Sequence, residues 1–334
     1  METKRAIVLT GAAGFVGFHT AQALLAAGHE VIGFDAVVDY YPTLIKRRRL
    51  AILAEQPRFR FVEADLADQS AVDSLFAEVK PELVCHLAAQ AGVRHSLSHP
   101  RDYLRANIDG TLNIMEACRH NGVRRLVYAS SSSVYGGNTK VPFSEADRVD
   151  LPISLYAATK RSNELMAHAY THLFGFQTVG LRFFTVYGRW GRPDMALWEF
   201  TERILAGQPI RVFNFGEMWR DFTHVSDIVK GVMGSLFSDG LDNWEVFNLG
   251  NHRSEKLTDM IDCIERACGR EAQRELLPMQ DGDVPRTYAD IDNARTKLGF
   301  EPTMPIAEGI PDFVAWYRSE PEIAEAARQW RLQL

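Results

Sequence analysis

The sequence predicts an α/β protein built around a doubly wound parallel sheet. Short apolar runs alternate with longer helical patterns through the N-terminal half of the chain. The first run leads into a glycine-rich turn, and later runs end in small, acidic or serine side chains. Alternating strands and helices form parallel sheets, whose ligands bind beyond the carboxyl ends of the strands. We therefore expect a small-molecule site at that edge of the sheet.

The first predicted strand leads into a turn suited to phosphates. An apolar run over residues 6–10 is followed by GAAGFVG at residues 11–17 and then by a helical pattern. Glycines let backbone N–H groups approach a pyrophosphate, and the dipole of the following helix favours its negative charge. The spacing differs from the commoner G-x-G-x-x-G, but its position between strand and helix predicts a Rossmann-type dinucleotide cradle. The expected contacts are Gly11, Gly14, Phe15, Val16 and Gly17.

The second predicted strand, over residues 30–34, ends in Asp35. A carboxylate at this position can hold the hydroxyls of an adenosine ribose, and it would repel a 2′-phosphate. The next two residues are Ala36 and Val37, so no arginine directly follows. The sequence therefore favours NAD over NADP.

Further strands and helices continue the alternation. Strands are predicted over residues 58–62, 82–87, 125–129, 177–183, 210–213 and 245–249, and helices over 68–79, 107–118, 196–206, 225–237 and 257–268. Small residues after the fourth strand, such as Ala88, would let a cofactor lie against the backbone. His86 lies within an apolar run, so we expect a hydrogen-bonded core residue rather than a catalytic group.

Tyr156 and Lys160 open another predicted helix. Four residues of separation place the phenol and the ammonium on one face, about one turn apart. A tyrosine normally titrates near pH ~10, and a nearby cation stabilises its phenolate. The pair is therefore a candidate proton acceptor for a sugar or alcohol hydroxyl.

A serine cluster at a strand end, followed by Tyr156 and Lys160 on the next helix, resembles the short-chain dehydrogenases/reductases. The glycine spacing and the chain length resemble their extended branch, which modifies sugar nucleotides, and the resemblance covers nearly the whole chain. It implies that Ser131 is catalytic with Tyr156 and Lys160, and that a smaller α/β C-terminal lobe binds the substrate. The cofactor contacts that it implies beyond the glycine turn are Asp35, Asp65, Leu66, Leu87, Ala88, Ala89, Gln90, Asn107, Tyr156, Lys160 and Phe183.

The residues before Val134-Tyr135 distinguish branches of this family. Sugar-nucleotide dehydratases typically carry Asp-Glu there, and UDP-glucuronate decarboxylases carry Glu at the second place, whereas this chain has Ser132 and Ser133. Dehydration needs acid–base groups that hydroxyls supply poorly, whereas 4-epimerisation needs neither. The stretches that resemble UDP-glucuronate 4-epimerases cover residues 39–41, 87–94, 181–188, 190–196, 220–224 and 282–290. Asp281 departs from the proline expected in that subgroup.

This resemblance implies an NAD-dependent conversion of UDP-glucuronate to UDP-galacturonate through a transient 4-keto sugar, with tightly bound NAD that is not consumed. We expect Arg192 to bind the substrate carboxylate, because a guanidinium binds a planar carboxylate bidentately. The alternative is that Arg192 pairs locally with Asp194. Arg220 is the better candidate for the pyrophosphate. The full set of expected substrate contacts is Arg94, Ser132, Ser133, Thr185, Arg192, Val212, Asn214, Arg220 and Asp283.

The family fold also implies interleaved domains. Residues 1–175 would form the NAD-binding domain, to which 176–190 and about 225–250 return. Residues of about 191–224 and 251–334 would form the sugar-nucleotide lobe. Pro302 and Pro305 frame the entry to a last helical region, whose Phe313, Trp316 and Tyr317 we interpret as packing residues.

Composition limits the other partners. A net charge of −6 without a dominant basic tract argues against nucleic acid or a membrane surface, and we interpret the basic run 46–49 as a solvated helix face. Cys85 and Cys118 fall in strongly apolar patterns, so we expect these two thiols to be buried, and because the four cysteines form no C-x-x-C pair we expect no metal site. The N-terminus carries no signal-like segment, which favours the cytoplasm. The family resemblance implies a homodimer through helices that begin near Pro100 and Tyr156.

Three alternatives stay open at this point. The chain could be a UDP-glucuronate decarboxylase, a UDP-hexose 4-epimerase whose substrate has no carboxylate, or a catalytically inactive NAD-binding redox sensor. The presence of Ser131, Tyr156 and Lys160 together argues against the sensor, because such proteins usually lose the Tyr or the Lys.

Overall fold

A parallel sheet forms the centre of the computed structural model, which describes residues 6–280 and 282–333. The strands, numbered along the chain, are β1 (Ala6–Thr10), β2 (Glu30–Asp35), β3 (Phe59–Glu63), β4 (Leu83–His86), β5 (Arg125–Ser131), β6 (Gln177–Phe183), β7 (Thr185–Tyr187), β8 (Ile210–Phe213), β9 (Trp219–Arg220), β10 (Phe222–His224), β11 (Trp244–Leu249), β12 (Glu255–Lys256) and β13 (Arg274–Leu277). Seven of them lie in the order β11-β6-β5-β4-β1-β2-β3, and each neighbouring pair is parallel. The predicted doubly wound sheet is confirmed.

Helices cover both faces of this sheet and build a second layer beside it. They are α1 (Phe15–Ala26), α2 (Thr43–Ala54), α3 (Gln69–Val79), α4 (His95–Ser98), α5 (Pro100–Tyr103), α6 (Gly110–His120), α7 (Leu155–Phe174), α8 (Ala196–Ala206), α9 (Val225–Phe237), α10 (Leu257–Cys268), α11 (Asp292–Leu298), α12 (Ile306–Ser319) and α13 (Pro321–Arg331). The bounds predicted for α8, α9 and α10 agree with the structure. The helix predicted from residue 107 begins as an α-helix only at Gly110, because Leu104–Asp109 forms a π-helical segment.

The strand order reverses at β1, which lies between β2 and β4. The chain first winds outward through β2 and β3 and then through β4, β5 and β6 on the other side. A crevice opens at such a reversal, beyond the carboxyl ends of the strands. Three predicted cofactor residues lie at this point: Gly11 directly follows β1, Asp35 ends β2, and Ala88 lies just after β4.

Alternate residues of each strand pack on opposite faces of the sheet. Ile7 and Leu9 belong to one buried cluster, and Val8 belongs to another on the opposite face. A third cluster lies in the C-terminal part of the chain. It includes Trp198, Phe313, Trp316 and Tyr317, whose rings contact one another, so the packing prediction for the last three is confirmed.

The chain passes between the sheet and this third cluster more than once. β6 and β11 join the main sheet, whereas α8, α10 and α12 contribute to the third cluster. That path agrees with interleaved domains, and the exact limits of the two domains stay a prediction.

The interpretation of the basic run was wrong for two of its four residues. Arg47 and Arg48 are about half exposed and pair with glutamates, but Lys46 is 6% exposed and Arg49 is completely buried. The helical period places residues 46, 49, 50 and 53 of α2 on the face that packs inward. The charge pattern alone did not reveal this inward face.

Other expectations concern the cysteines and the membrane. All four cysteines are buried free thiols, as predicted for Cys85 and Cys118. Within the described residues, no group of three His, Cys, Asp or Glu side chains is placed as metal ligands would be. None of the helices in the described ranges has the length and apolar character needed to cross a bilayer.

A buried polar network joins α7 to β5, β6 and β11. The guanidinium of Arg182 donates from Nε and Nη2 to the two carboxylate oxygens of Glu164, at 2.8 and 2.9 Å. Ser130 also donates to Glu164, and Arg182 reaches Tyr135, whose hydroxyl donates to Asn248. Burial would raise the pKa of Glu164, but the guanidinium holds that pKa below its ordinary value. The buried pair is therefore ionised.

Glu164→Gln should lower the free energy of unfolding by about 3–5 kcal/mol, because it leaves a buried guanidinium without its anion. Urea denaturation at neutral pH measures the change. The matched control is Glu325→Gln, since Glu325 also pairs with an arginine but is half exposed, and its stability should stay within error of the wild type. Equal effects of the two substitutions would contradict this role of the buried pair.

Candidate active site

The glycine-rich turn closes tightly against the end of β4. Gly11 has a φ of +75°, and a Cβ atom there would lie 2.7 Å from the backbone nitrogen of Ala88. A Cβ on Gly17 would lie 2.0 Å from the carbonyl oxygen of Gly11. Within the described residues, no side chain caps α1 at Gly14 and no acidic residue lies in its first turn. The turn therefore presents backbone N–H groups, including those of Phe15 and Val16, in a cradle that fits a pyrophosphate.

Asp35 lies at the end of β2, beside this turn. Its carboxylate accepts hydrogen bonds from the backbone N–H groups of Val37 (2.8 Å) and Ala13 (3.1 Å). Burial raises the pKa of Asp35, while the charge of Lys46 and these two hydrogen bonds oppose the rise. Each carboxylate oxygen keeps a second lone pair that can accept from a ribose hydroxyl. Asp35 thus stands where the sequence predicts a ribose contact.

The other predicted cofactor residues gather at the same edge. Leu87 and Ala88 donate from their backbone nitrogens to Thr10 at the end of β1. Asp65 follows β3 and pairs with Arg105, whose Nη2 lies 2.8 Å from the carboxylate. Phe183 ends β6, and the side chain of Leu66 contacts the start of α6 at Gly110.

Asn107 lies within the π-helical segment, and its side chain binds the segment that follows β4. Its side-chain oxygen accepts from the backbone of Gln90 at 2.8 Å, and its Nδ2 donates to the carbonyl of Gln90 and to Thr159. The backbone carbonyl of Asn107 accepts from Asn163 at 2.6 Å. π-Helical turns often occur at functional sites because they change the pairing of backbone groups. This one connects the predicted cofactor strand to α7.

Thr159 and Asn163 were missed by the sequence reasoning. Both lie on α7, and Asn163 is seven residues after Tyr156 and three after Lys160. Residues at these spacings share one helical face. The spacing was therefore the signal that pointed to Asn163.

Tyr156 and Lys160 lie on the first turns of α7. Ser154 caps this helix, because its hydroxyl accepts from the backbone nitrogen of Ala157 at 3.1 Å. Burial raises the pKa of the Tyr156 phenol, while a hydrogen bond with Ser131 and the positive charge of Arg192 oppose the rise. The ring of Tyr103 packs edge-on against Tyr156, with 6.1 Å between centroids.

Lys160 binds the end of β5. Its Nζ donates to the carbonyl oxygen of Ala129 at 2.9 Å, and burial lowers the pKa of Lys160 to about 8. Ser131 and Arg192 oppose the rise in the pKa of Tyr156. The predicted effect of Lys160 on the pKa of the phenol stays a prediction.

Ser131 ends β5 and is almost buried. Its hydroxyl oxygen accepts from the backbone nitrogen of Ser133, and it donates to the Ser133 hydroxyl at 3.2 Å. It therefore caps the short 3₁₀ turn Ser132–Tyr135 in addition to facing Tyr156. The structural role is observed, and the catalytic role of Ser131 stays a prediction.

Arg192 forms the local pair that was named as the alternative. Its Nε and Nη2 donate to the two carboxylate oxygens of Asp194, at 3.0 and 2.5 Å, and Tyr40 donates to the same carboxylate. Burial would raise the pKa of Asp194, but Arg192 holds it below its ordinary value. The positive charge of Arg192 nonetheless opposes the rise in the pKa of Tyr156. It also shares the wall of an apolar cavity with Thr185.

Three of the remaining substrate candidates form a charged cluster, which consists of Arg94, Arg220 and Asp283. Asp283 lies between two arginines, with its carboxylate oxygens 3.7 Å from Arg94 and 3.8 Å from Arg220. Burial lowers the pKa of Arg220, and the charge of Asp283 opposes this. Val212 is buried in β8, whereas Asn214 follows that strand with a φ of +49°. Asp281 lies outside the described residues.

Three comparisons place this geometry among known proteins. Residues 7–250 match the model of the NAD dependent epimerase/dehydratase family. The probable UDP-glucuronate 4-epimerase of Rhizobium meliloti is 44% identical, over 93% of this chain and 96% of its own length.

Two solved structures are similar over nearly all of both chains. The crystal structure of UDP-glucuronic acid 4-epimerase from Bacillus cereus, in complex with UDP-glucuronic acid and NAD, has a TM-score of 0.88 and 33% identity, covering 94% of this chain and 99% of that one. UDP-glucose 4-epimerase of Thermotoga maritima with UDP-glucose has a TM-score of 0.87 and 30% identity, over 95% and 99%. On these matches and on the cradle at the end of β1, the chain belongs to the NAD dependent epimerase/dehydratase family.

Proposed function

We propose that this protein interconverts UDP-glucuronate and UDP-galacturonate by NAD-dependent epimerisation at C4. The observation that carries the proposal is the meeting of three features at one edge of the sheet. The dinucleotide cradle follows β1, Ser131 ends β5, and both Ser131 and the charge of Arg192 oppose the rise in the pKa of the buried Tyr156 phenol. The similarity to UDP-glucuronate 4-epimerases supports this choice of substrate.

The cradle, Asp35 and Asp65 would hold the dinucleotide, with Leu87, Ala88, Ala89 and Gln90 along its nicotinamide half. When bound, NAD would supply the hydride chemistry at C4 of the sugar and a positive charge near the phenol. Lys160 would hold the nicotinamide ribose from its buried place above Ala129. Asn107 fixes Gln90, so the floor of this half is rigid.

Tyr156 would accept the proton of the 4-hydroxyl and return it later. Ser131 would share a hydrogen bond with the same oxygen and stabilise the developing charge. A nearby cation favours the phenolate, so the positive charge of Arg192 already assists the ionisation of Tyr156.

The 4-keto sugar carries its carboxylate on the adjacent carbon, so loss of CO2 is the expected side reaction. Loss requires the bond to the carboxylate to align with the carbonyl π system. Arg192, Thr185, Ser132 and Ser133 would hold the carboxylate out of that alignment. Arg220 and Arg94 would bind the diphosphate side, with Asp283 holding the two arginines, and Val212 and Asn214 would lie near the uracil.

One observation favours a second candidate, a UDP-hexose 4-epimerase. Asp194 takes two of the five donors of the Arg192 guanidinium, one on Nε and one on Nη2, which leaves the two on Nη1 and one on Nη2 for a substrate carboxylate. A substrate with a neutral C6 group would not need to share this arginine. Binding of UDP-glucuronate and UDP-glucose, compared side by side, separates the two functions.

We also propose a homodimer in the cytoplasm. Leu104, Leu112, Leu165 and Leu173 are 39–67% exposed, and they lie on or just before the helices α6 and α7. Exposed leucines repeated along neighbouring helices indicate a surface that is covered by another protein surface. The family resemblance suggests that a second copy of this chain covers it.

Tyr156→Phe should reduce kcat on UDP-glucuronate by about 10²–10⁴-fold, because it removes the proton acceptor. NMR of the products measures this rate. The variant should keep its bound NAD, since Lys160 and the cradle are unchanged. Tyr170→Phe, on the same helix and bonded to Glu116, is the matched control and should retain full activity. Full activity in Tyr156→Phe would rule out the proposed base.

Arg192→His should weaken binding of UDP-glucuronate roughly 10- to 100-fold, through loss of a charge-assisted contact, and should release UDP-pentose. Calorimetry and product NMR measure the two effects. Arg189→His is the control from the same loop, because that half-exposed side chain pairs with Asp312. Unchanged products and affinity in Arg192→His would refute the carboxylate role and favour the UDP-hexose alternative.

Leu165→Glu combined with Leu173→Glu should convert the dimer to a monomer, because it places charge on the apolar face of α7. Light scattering coupled to size-exclusion chromatography measures the mass. Leu151→Glu is the control, since Leu151 is 75% exposed and lies before the start of α7 rather than on either helix. A wild-type monomer, or a double variant that stays dimeric, would contradict the proposed interface.

A further inference from the structure

Arg49 is a completely buried cation that serves none of the roles assigned above. Its Nη1 donates to the carbonyl oxygen of Ala13 and to the Tyr41 hydroxyl, both at 2.7 Å. Its Nη2 donates to the carbonyl oxygen of Trp190 at 2.6 Å and, at 3.5 Å, to that of Gly191. Ala13 belongs to the glycine-rich turn, and Gly191 immediately precedes Arg192. One side chain therefore joins the cofactor cradle to the loop that carries the substrate arginine.

The charge of Arg49 is not balanced by an ion pair. Among residues 6–280 and 282–333, its hydrogen-bond partners are three backbone carbonyls and the Tyr41 hydroxyl, with no carboxylate, and its buried Nε meets no acceptor. The charge of Arg49 acts on Asp35 and opposes the rise in the pKa of that carboxyl, but the two groups form no contact ion pair. A buried cation without a contacting anion is costly, so an anion bound nearby would be favoured. Its contact with Ala13 places this cation beside the cradle that fits a pyrophosphate.

The loop before Arg192 is held at three consecutive carbonyls. His19, on α1, lies with Nε2 at 2.9 Å from the carbonyl oxygen of Arg189, and Arg49 holds the next two. Trp190 has a φ of +59°, a strained value for a residue with a side chain. Its ring packs on Phe18, with 5.7 Å between centroids. Side chains of the two helices beside the cradle thus fix the backbone from which Arg192 projects.

We propose that Arg49 is a positioning residue that couples dinucleotide binding to recognition of the substrate carboxylate. Its positive charge favours the pyrophosphate in the cradle, and its fork of donors sets the backbone of the Arg192 loop. Because one guanidinium does both, filling the cradle stabilises the loop geometry that binds the carboxylate. The effect of Arg49 on recognition of the substrate carboxylate rests on the proposed function, whereas its effect on dinucleotide binding does not.

The test compares wild type, Arg49→Met and Arg49→Lys, with Arg47→Met as the matched control on the same helix. NAD affinity is measured by the thermal shift that NAD produces, and binding of UDP-glucuronate and UDP-glucose is measured by calorimetry at saturating NAD. Arg49→Met should weaken NAD about tenfold or more, because it removes a buried charge and its hydrogen bonds. It should also weaken the binding of UDP-glucuronate by a similar factor, while the affinity for UDP-glucose should change less than about twofold.

Arg49→Lys keeps the charge but loses the fork, so it should retain NAD affinity close to the wild type and still weaken UDP-glucuronate selectively. If Arg49→Met does not fold, Arg49→Lys alone decides the question. Arg47→Met should leave all three affinities unchanged. Unchanged affinities in the Arg49 variants, or equal weakening of both sugar nucleotides, would overturn the inference.

Failure of the proposed function has a different signature. In that case the wild type itself would show no preference for UDP-glucuronate and would not epimerise it. The NAD measurement would then still decide whether Arg49 supports the cradle.

Discussion

Helix α7 is fixed to the central sheet by two buried cations, and the position of the candidate base depends on them. Lys160 donates to the end of β5 at Ala129, and Arg182 of β6 reaches back to Glu164 on the helix. These contacts, one turn apart along α7, determine how far Tyr156 extends over the carboxyl edge of the sheet. A helix packed only by apolar contacts could slide or rotate at smaller cost, because apolar burial is not directional.

Cations held by fixed hydrogen-bond acceptors also occur in the loop and helix that carry Arg192 and Arg49. Arg49 is held by four acceptors, three of them backbone carbonyls, and Arg192 is held by Asp194. A guanidinium has five donors in a fixed plane, so each contact constrains both distance and orientation. The site is thus framed by buried cations with fixed positions. Such a frame suits the doubly negative pyrophosphate of the cofactor and a substrate that carries a diphosphate and a carboxylate.

The sequence predicted the sheet and most helix bounds, and it supplied the residues that we propose for the chemistry. Those features depend on local patterns: the glycine spacing after β1, the acid that ends β2, and the four-residue step from Tyr156 to Lys160. The same spacing rule also pointed to Asn163, which was overlooked. The contact of Lys160 with Ala129 was not predicted, because Ala129 belongs to another segment. Hydrogen bonds between distant segments leave no local pattern in the sequence.

Arg49 illustrates the second limit. Within a run of four basic residues it has the pattern of a solvated helix face, and only the fold buries it against Ala13 and Trp190. The Arg192–Asp194 pair was foreseen as an alternative because the two residues are close in sequence. Tyr40 also binds Asp194, but it lies more than 150 positions away in the sequence, and this contact was not foreseen.

The central claim is that one hydrogen leaves C4 of the sugar and returns to the same carbon on its other face. Conversion of UDP-glucuronate labelled with deuterium at C4, followed by NMR of the product, tests this claim most directly. The account predicts UDP-galacturonate with the deuterium retained at C4 and no solvent hydrogen at C5. Loss of the label to solvent, exchange at C5, or UDP-pentose as the main product would contradict it.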